Sequence, residues 1–155
     1  KVYCWGGGGR GQSGPPGHGR FSAHLQPVQV NGLPGVPLRI EVGLAHSCAL
    51  VDDNGNRKVY CWGDNRSGQL GTNSTTIKKS NNPVPVYVGV GGLPPTESVV
   101  DISAGANRSC AIMTNKHSYC WGLNDNGQIG DGTRINRFSP TESLFLRPAQ
   151  NRYIY

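Results

Sequence analysis

The arrangement that first suggests chemistry in this chain is a histidine two residues before a cysteine. His46 and Cys48 would point to the same face of a β-strand, because side chains alternate along a strand. An imidazole beside a thiol can activate it as a nucleophile. In a second, similar segment of the chain, Arg108 occupies the position that corresponds to His46, so the histidine–cysteine pair does not recur. Cys48 is better explained as half of a disulfide. We therefore predict no catalytic residues and a protein that is not an enzyme.

Two other segments resemble ligand-binding loops only in part. The consecutive glycines Gly6–Gly9 could cradle a phosphate, but no helix with a Lys-Ser/Thr pair follows them. The segment Asp52–Asn56 resembles the start of a calcium loop, but Gly63 occupies the position of the bidentate glutamate. The remaining histidines lack metal-ligand spacing, and they are His18, His24 and His117. The sequence therefore predicts neither a cofactor nor a bound metal.

A tight hairpin explains the first pair of cysteines. Asn54-Gly55 is the residue pair that favours a type I′ turn, because both of its positions need a positive φ. With this pair at the centre of the turn, Cys48 lies directly opposite Cys61 on the neighbouring strand. Opposed cysteines are within disulfide reach, so we predict a bridge between them.

A second hairpin explains two more cysteines and leaves one over. A three-residue turn centred on Asn115 places Cys110 opposite Cys120, which predicts a second bridge. Cys4 has no upstream strand to supply a partner, so it is expected to be unpaired or to bond another chain. Persistent disulfides form in oxidising compartments. The sequence therefore predicts an extracellular, secreted protein, and the alternative is that the cysteines are small buried apolar residues of a reduced protein.

The chain contains an internal repeat. The string Tyr-Cys-Trp-Gly begins at Tyr3, Tyr60 and Tyr119, so the period is about 60 residues, and a Gly-Gln pair follows each copy. Such a period is typical of propellers, solenoids and arrays, in which neighbouring units bury each other's apolar faces. We treat residues 1–155 as one repeat domain with units 1–57, 58–116 and 117–155.

Each unit predicts short strands rather than helices. Glycine and proline interrupt every candidate helix, and alternating valines have the period of two that a half-buried strand needs. Besides the two hairpin strands, the expected extended stretches are Pro27–Val30, Leu38–Val42, Val84–Val88, Val99–Ser103 and Thr141–Leu146. Four short strands per unit are the content of a propeller blade. The predicted fold class is all-β, with β-propeller-type repeats of four antiparallel strands, about three blades, in an incomplete or open propeller.

The repeat resembles that of the regulator of chromosome condensation family. The resemblance rests on Gly43–Leu50, which reads GLAHSCAL, and on Val59–Gly71, which reads VYCWGDNRSGQLG. It implies a blade of four antiparallel strands in a propeller of about seven blades. Family members include guanine-nucleotide exchange factors for small GTPases, chromatin-binding proteins and secreted inhibitors of enzymes. The paired cysteines are similar to those of secreted members.

Recurring tryptophans and three sequons are further candidates for functional residues. Core packing between blades is the favoured explanation of Trp5, Trp62 and Trp121, and a surface platform for ligands is the alternative. N-glycosylation sequons begin at Asn65, Asn73 and Asn107. Glycans are expected at Asn65 or Asn73 before Asn107, because Asn107 precedes the Ser-Cys-Ala strand by two residues and would be partly covered by the neighbouring unit.

Charge and hydropathy narrow the possible partners. The formal net charge is +6, but the basic residues are dispersed through the sequence, which indicates a solvated basic surface. We therefore predict that the chain does not bind nucleic acid, although an acidic glycan could bind this surface. No apolar run reaches the length of a membrane span.

The two ends of the chain predict assembly through added strands. Lys1, Val2 and Tyr3 belong to the second strand of a hairpin whose first strand is missing. At the other end Tyr153, Ile154 and Tyr155 align with a first strand whose second strand is missing. One copy could therefore pair with the next through main-chain hydrogen bonds. A repeated head-to-tail contact gives a ring or a filament.

These expectations lead to three hypotheses on function. The first is a non-enzymatic, extracellular structural or adhesive repeat protein that binds copies of itself, in filaments rather than rings. The alternative is a fragment of a larger propeller that acts as a protein-recognition module through its loops. A third, less favoured hypothesis is part of a guanine-nucleotide exchange factor. The length of the native polypeptide would distinguish the first two.

Overall fold

The computed structural model describes residues 1–7, 10 and 24–144. Every regular element in these residues is a β-strand. The strands in chain order are β1 (Val2–Gly6), β2 (His24–Val30), β3 (Val36–Val42), β4 (His46–Asp53), β5 (Asn56–Asp64), β6 (Lys79–Pro85), β7 (Val99–Gly105), β8 (Arg108–Met113), β9 (Ser118–Gly122) and β10 (Arg137–Glu142).

The strands form three antiparallel sheets. A half-blade contains β1 and β2, a central blade contains β3 to β6, and an end blade contains β7 to β10. In both four-stranded blades the order in space is the order in the chain, as in a meander. The predicted fold, blades of four antiparallel strands in an open array, is confirmed for the described residues.

The sheets are offset from the sequence units. The boundary at residues 57 and 58 falls within β5, and the boundary at residues 116 and 117 falls in the turn between β8 and β9. Each unit therefore combines the last strands of one sheet with the first strands of the next. This offset means that each predicted hairpin forms the centre of a blade, where both of its strands have neighbours on their outer sides.

The two hairpins have the predicted registers. Cys48 lies opposite Cys61, and Cys110 lies opposite Cys120. Asn54 and Gly55 have φ values of 54° and 84°, which is the positive pair that a type I′ turn requires. The sulfur atoms of the two predicted bridges are at disulfide distance, 2.11 Å for the first and 2.18 Å for the second.

The core lies between the sheets and not within any one of them. One buried cluster joins the half-blade to the central blade, and it consists of Val2, Val30, Ala49, Val51 and Trp62. A larger cluster joins the central blade to the end blade, and it includes Leu50, Val59, Leu70, Ile102, Met113 and Trp121. Even the central blade therefore depends on its neighbours to cover its two apolar faces.

Successive connections between strands lie at opposite edges of the stack of sheets. The β3–β4, β5–β6, β7–β8 and β9–β10 connections are at one edge, which we call the loop edge, because successive strands are antiparallel. The β4–β5 and β8–β9 turns and the β6–β7 connection are at the other, which we call the turn edge. Arg39 of β3 pairs with Glu41 of the same strand at 3.0 Å, and it also pairs with Asp101 of β7 in the end blade at 3.1 Å.

Candidate functional site

A groove opens between the central and end blades at the turn edge. Its volume is about 450 Å³. Buried apolar side chains line it, and they are Val59, Val86, Leu93, Val99 and Met113. Polar side chains surround this apolar surface, and they include Arg57, Lys58, Thr96, Glu97 and Ser98. We call this site the interblade groove.

The β6–β7 connection forms one wall of the interblade groove. Tyr87 N–H donates to Gly71 O at 2.9 Å, and Leu93 N–H donates back to Tyr87 O at 3.1 Å, so the segment folds into a compact loop. Gly92 is required here because a Cβ atom at this position would lie 2.5 Å from the Tyr87 ring. The loop holds Leu93 in the groove and leaves Val90 almost fully exposed at its tip.

Hydrogen bonds between elements fix the rim of the groove. Ser98 N–H donates to Thr114 Oγ1 at 3.3 Å, and Thr114 N–H donates to Ser98 O at 2.9 Å. The Arg57 guanidinium reaches across from the central blade to Val99 O at 3.5 Å. Lys58 pairs with Asp53 at 2.9 Å, and the hydrogen bond and charge of Asp53 raise the pKa of Lys58. The rim therefore carries charged groups of both signs, Arg57 and Lys58 from the central blade and Glu97 from the β6–β7 connection.

The lining of the groove resembles that of a binding cleft. None of the described residues that line it is a histidine or a cysteine. The groove combines an apolar floor, three prolines (Pro85, Pro94 and Pro95) and charged groups at the rim. Such a concave, mostly apolar surface with a few polar groups is typical of a ligand-binding cleft.

His46 is part of a buried joint between the central and end blades. Its Nε2 lies 2.8 Å from Ser109 Oγ of the end blade, and this hydroxyl donates to Gln69 O at 3.0 Å. Nε2 must therefore carry the proton and donate to Ser109. Burial lowers the pKa of His46 to about 4, although the charge of Asp64 opposes this effect. Cys48 is bonded to Cys61, so no histidine-activated thiol exists here.

The tryptophans of the second and third copies hold the blades together. Trp62 and Trp121 are fully buried in the two clusters between sheets, as expected for core packing. Trp121 Nε1 donates to Gln69 O at 3.0 Å across the joint. The indole also lies against Gly71, where an added Cβ atom would be 2.8 Å from Nε1. Trp5 differs, because 64% of its surface is exposed.

The Gly-Gln segments are structural loops that their own side chains close. Asn65 Nδ2 donates to Ile77 O at 2.7 Å, and its Oδ1 accepts from Leu70 N–H at 2.9 Å. In the end blade Asn124 has the same role, with its Oδ1 accepting from Ile129 N–H at 2.9 Å. These bonds explain why the asparagine and the Gly-Gln pair occur together in the second and third copies of the repeat.

The sequons differ in their exposure. Asn65 is completely buried and its amide nitrogen is already hydrogen bonded, so the folded protein has no room for the glycan expected there. Asn73 is exposed in the β5–β6 loop. Asn107 is half-buried, and its buried Oδ1 has no hydrogen-bond partner. Of the three, Asn73 alone presents an accessible amide.

The expected assembly residues are only partly within the described chain. Lys1 and Tyr3 are exposed, whereas Val2 is buried opposite Val30 of β2. Tyr153, Ile154 and Tyr155 lie outside the described residues. Cys4 has a free thiol that is half-buried toward the central blade, and burial raises its pKa.

The interblade groove was not predicted from the sequence. Its lining comes from segments that are far apart in the chain, between Gly55 and Met113. The best available signal was Val86–Pro95, a stretch with exposed valines and two adjacent prolines, which the repeat pattern does not require.

Among the described residues, no group of three acidic, histidine or cysteine side chains could hold a metal ion. In the same residues no helix is long and apolar enough to span a membrane.

Sequence comparison relates the chain to known repeats. Two family models, both described as the regulator of chromosome condensation (RCC1) repeat, match it. One matches residues 39–69 and 99–128, and the other matches residues 58–112 and 117–150. The Ultraviolet-B receptor UVR8 of Arabidopsis thaliana is 31% identical over 156 residues, which cover 99% of this chain and 32% of the receptor. The X-linked retinitis pigmentosa GTPase regulator of Mus musculus is 28% identical over 96% of this chain and 14% of its own length.

Solved structures show the same fold. Yeast RCC1 (Prp20) bound to Kap60 superposes with a TM-score of 0.73 and 23% identity, over 97% of this chain and 34% of that one. Human WBSCR16 superposes with a TM-score of 0.65 and 19% identity, over 87% of this chain and 32% of that one. The chain thus spans about a third or less of the length of these four proteins.

Proposed function

The chain belongs to the regulator of chromosome condensation (RCC1) repeat family, and from this premise we propose that it is a non-enzymatic protein-recognition module. The observation that carries the proposal is the interblade groove, with its apolar floor and its charged rim. The ligand is an extended segment of another protein that inserts an apolar side chain between the blades.

Two features of the groove support a peptide ligand. The five buried floor residues form an apolar surface, so an inserted aliphatic or aromatic side chain would gain about 25 cal/mol per Å² of apolar area removed from water. Arg57 and Glu97 both line the groove, so it offers a charge of either sign to the polar groups of a bound segment.

Relatives with protein ligands also support recognition. One solved neighbour is yeast RCC1 (Prp20) bound to Kap60, and another structure of Prp20p is described together with its binding to Gsp1p and histones. Those proteins are about three times longer than the part that this chain matches. We therefore propose for this chain only the class of ligand, another protein, and not the particular ligands of those proteins.

Blocking the groove with a bulky side chain tests the proposal. Thr96 is exposed at the rim, so Thr96→Trp would fill the opening without disturbing the core. Peptides selected from a displayed random library against the unmodified chain should share an apolar anchor residue. We expect their affinity for the Thr96→Trp variant to fall by about tenfold or more, as for loss of a buried anchor.

Thr75→Trp is the matched control, because Thr75 is an exposed threonine in the β5–β6 loop at the opposite edge. Binding to this variant should remain at the unmodified level in a titration by fluorescence anisotropy. Selected peptides that bind both variants equally, or a selection that enriches no apolar anchor, would show that the groove is not the recognition site.

The setting proposed for this module is extracellular. The support is the two disulfide bridges, one in the central blade and one in the end blade, since such bridges persist in oxidising compartments. The exposed sequon at Asn73 is compatible with that setting. Mass spectrometry of unreduced protein from its native source would measure the bridges and any glycan. Four reduced cysteines would contradict the assignment.

Self-association in a structural or adhesive role is the second candidate function. One observation favours it: the outer edge of β1 has no partner strand among the described residues, and Tyr3 and Trp5 are exposed beside it. Such an edge can accept a strand from a second copy. Repeated head-to-tail contacts would give filaments or rings. Deletion of residues 151–155 tests the strand-addition form of this candidate, because assembly that survives the deletion does not use that strand.

A further inference from the structure

One charged group on the rim of the interblade groove lacks a charged partner. Arg57 is exposed on β5, and its guanidinium donates one hydrogen bond to the described residues, a long one of 3.5 Å to Val99 O. No carboxylate of those residues forms an ion pair with it. Because a guanidinium has several N–H donors, most of its hydrogen-bonding capacity is left to water. An anionic group of a ligand could therefore bind it.

The carboxylate that could neutralise Arg57 bonds to the backbone instead. Asp52 lies directly opposite Arg57 in the β4–β5 hairpin, so the two side chains are on the same face of the sheet. Yet Asp52 Oδ1 accepts the N–H of Gly55 in the turn at 2.7 Å. The bond that stabilises the turn therefore leaves Arg57 available to a ligand.

The other charged groups of the rim already have partners. Lys58 pairs with Asp53 at 2.9 Å. The carboxylate of Glu97 accepts a hydrogen bond from the Thr114 hydroxyl of the end blade. Among the described residues that line the groove, Arg57 is therefore the charge that is most open to a ligand.

Arg57 lies beside the apolar floor at a fixed spacing. It is two residues from Val59 along β5, so both side chains lie on the face that packs toward the end blade. Val59 is buried in the floor of the groove, whereas Arg57 is exposed at its rim. Residues two apart on a strand are separated by about 6.6 Å. An extended ligand has the same repeat, so a side chain two residues from its apolar anchor would reach Arg57.

We propose that the interblade groove recognises an acidic peptide segment, in which an aspartate or glutamate two residues from the apolar anchor pairs with Arg57. This inference rests on the proposed recognition function and adds the chemistry of the ligand. The anchor covers the apolar floor, which includes Val59 and Leu93, and the carboxylate accepts two N–H groups of the guanidinium side by side. Such a pair favours a carboxylate over an amide, because the amide offers one acceptor oxygen and no charge.

A comparison of two peptides on two chains tests the pairing. A peptide selected from a displayed random library against the unmodified chain is the first ligand, and in the second its acidic residue is replaced by the corresponding amide. The unmodified chain should bind the acidic peptide at least about fivefold more tightly, as for a well-oriented ion pair at a rim. Arg57→Gln should bind both peptides with equal affinity. Fluorescence anisotropy would measure the four affinities, and added salt should reduce the preference of the unmodified chain.

Two further variants separate the ion pair from other effects. Lys78→Gln removes one positive charge from the β5–β6 loop at the opposite edge, so it matches the change in net charge and should keep the preference for the acidic peptide. Arg57→Glu should reverse the preference, so that peptides selected against this variant carry lysine or arginine at the same spacing. The amide peptide reports folding, since its affinity should be the same for the unmodified chain and for Arg57→Gln.

The results distinguish the pairing from the proposed function. Selected peptides that share an apolar anchor but no acidic residue at this spacing would overturn the pairing and leave the recognition function intact. A selection that yields no apolar anchor would overturn both. A preference that Arg57→Gln retains, or that Lys78→Gln abolishes, would assign it to the overall charge of the chain and not to Arg57.

Discussion

His46 shows how a residue type that suggests catalysis serves packing instead. Its ring is fully buried between the central and end blades and donates from Nε2 to Ser109. Nδ1 is buried without a hydrogen-bond partner in the described structure, so a charged imidazole would be poorly accommodated. The joint therefore requires the neutral form of the histidine.

Acid should weaken this joint. The folded-state pKa of about 4 lies below the ordinary value of 6.5, so between these two pH values the unfolded chain binds more protons than the folded one. The stabilisation is complete above pH 6.5 and is lost as the pH falls toward 4. The free energy of unfolding should decrease by up to about 3 kcal/mol over this window. Urea titrations at a series of pH values would measure it.

The variant His46→Gln should flatten this pH dependence, even though it lowers stability at neutral pH by breaking the bond to Ser109. His24→Gln is the matched control, because His24 lies in β2, outside the joint between the central and end blades. The control should keep the slope of the unmodified chain. An unchanged slope in His46→Gln would contradict the assignment to His46.

At the scale of elements, the β-hairpins carry both the disulfides and the contacts between blades. Directly opposed positions place Cys48–Cys61 in the buried joint and Cys110–Cys120 on the outer face of the end blade. The two bridges close loops of similar length, with sequence separations of 13 and 10. Their effects on the unfolded chain should therefore be similar, about 2 to 3 kcal/mol each.

Replacing each pair by alanine should reveal their different surroundings. Cys48→Ala with Cys61→Ala should cost more than Cys110→Ala with Cys120→Ala, because the first pair also leaves a cavity in the joint. We expect a difference of roughly 1 kcal/mol or more in the free energy of unfolding, measured by urea denaturation without reductant. Equal losses for the two pairs would indicate that chain entropy alone sets the contribution of each bridge.

At the scale of the whole molecule, stability comes from the stacking of blades. Gly68 illustrates the closeness of this stacking: an added Cβ atom would lie 2.4 Å from Arg137 O of the end blade. The residue also has a φ of +91°, which disfavours any side chain. A glycine in the repeat motif of one blade is thus required by the backbone of the next.

Gly68→Ala should destabilise the stack by more than backbone strain alone. Gly55 is the matched control, since it has a φ of +84° but nothing within 4 Å of an added Cβ atom. Gly55→Ala should cost about 1 to 2 kcal/mol from the left-handed conformation. Gly68→Ala should cost at least about 1 kcal/mol more, because the blades must separate to admit the methyl group. Thermal unfolding followed by circular dichroism would compare the two, and similar losses would argue against close packing at Gly68.

The sequence by itself determined the local features of this protein. The Asn54-Gly55 turn, the alternation of side chains and the repeat spacing specified the hairpin registers and the opposed cysteines, because these depend on neighbours along one hairpin. Repetition of the motif also specified four-stranded blades and the burial of Trp62 and Trp121.

Only the tertiary structure decided the features that depend on contacts between sheets. Asn65 occupies a predicted loop, yet its amide is buried by bonds to Leu70 and Ile77, so its sequon is inaccessible. The interblade groove is assembled from segments of two blades that are far apart in the sequence. Period and propensity describe single strands and hairpins, whereas these sites arise from the distance and orientation between sheets that pack on one another.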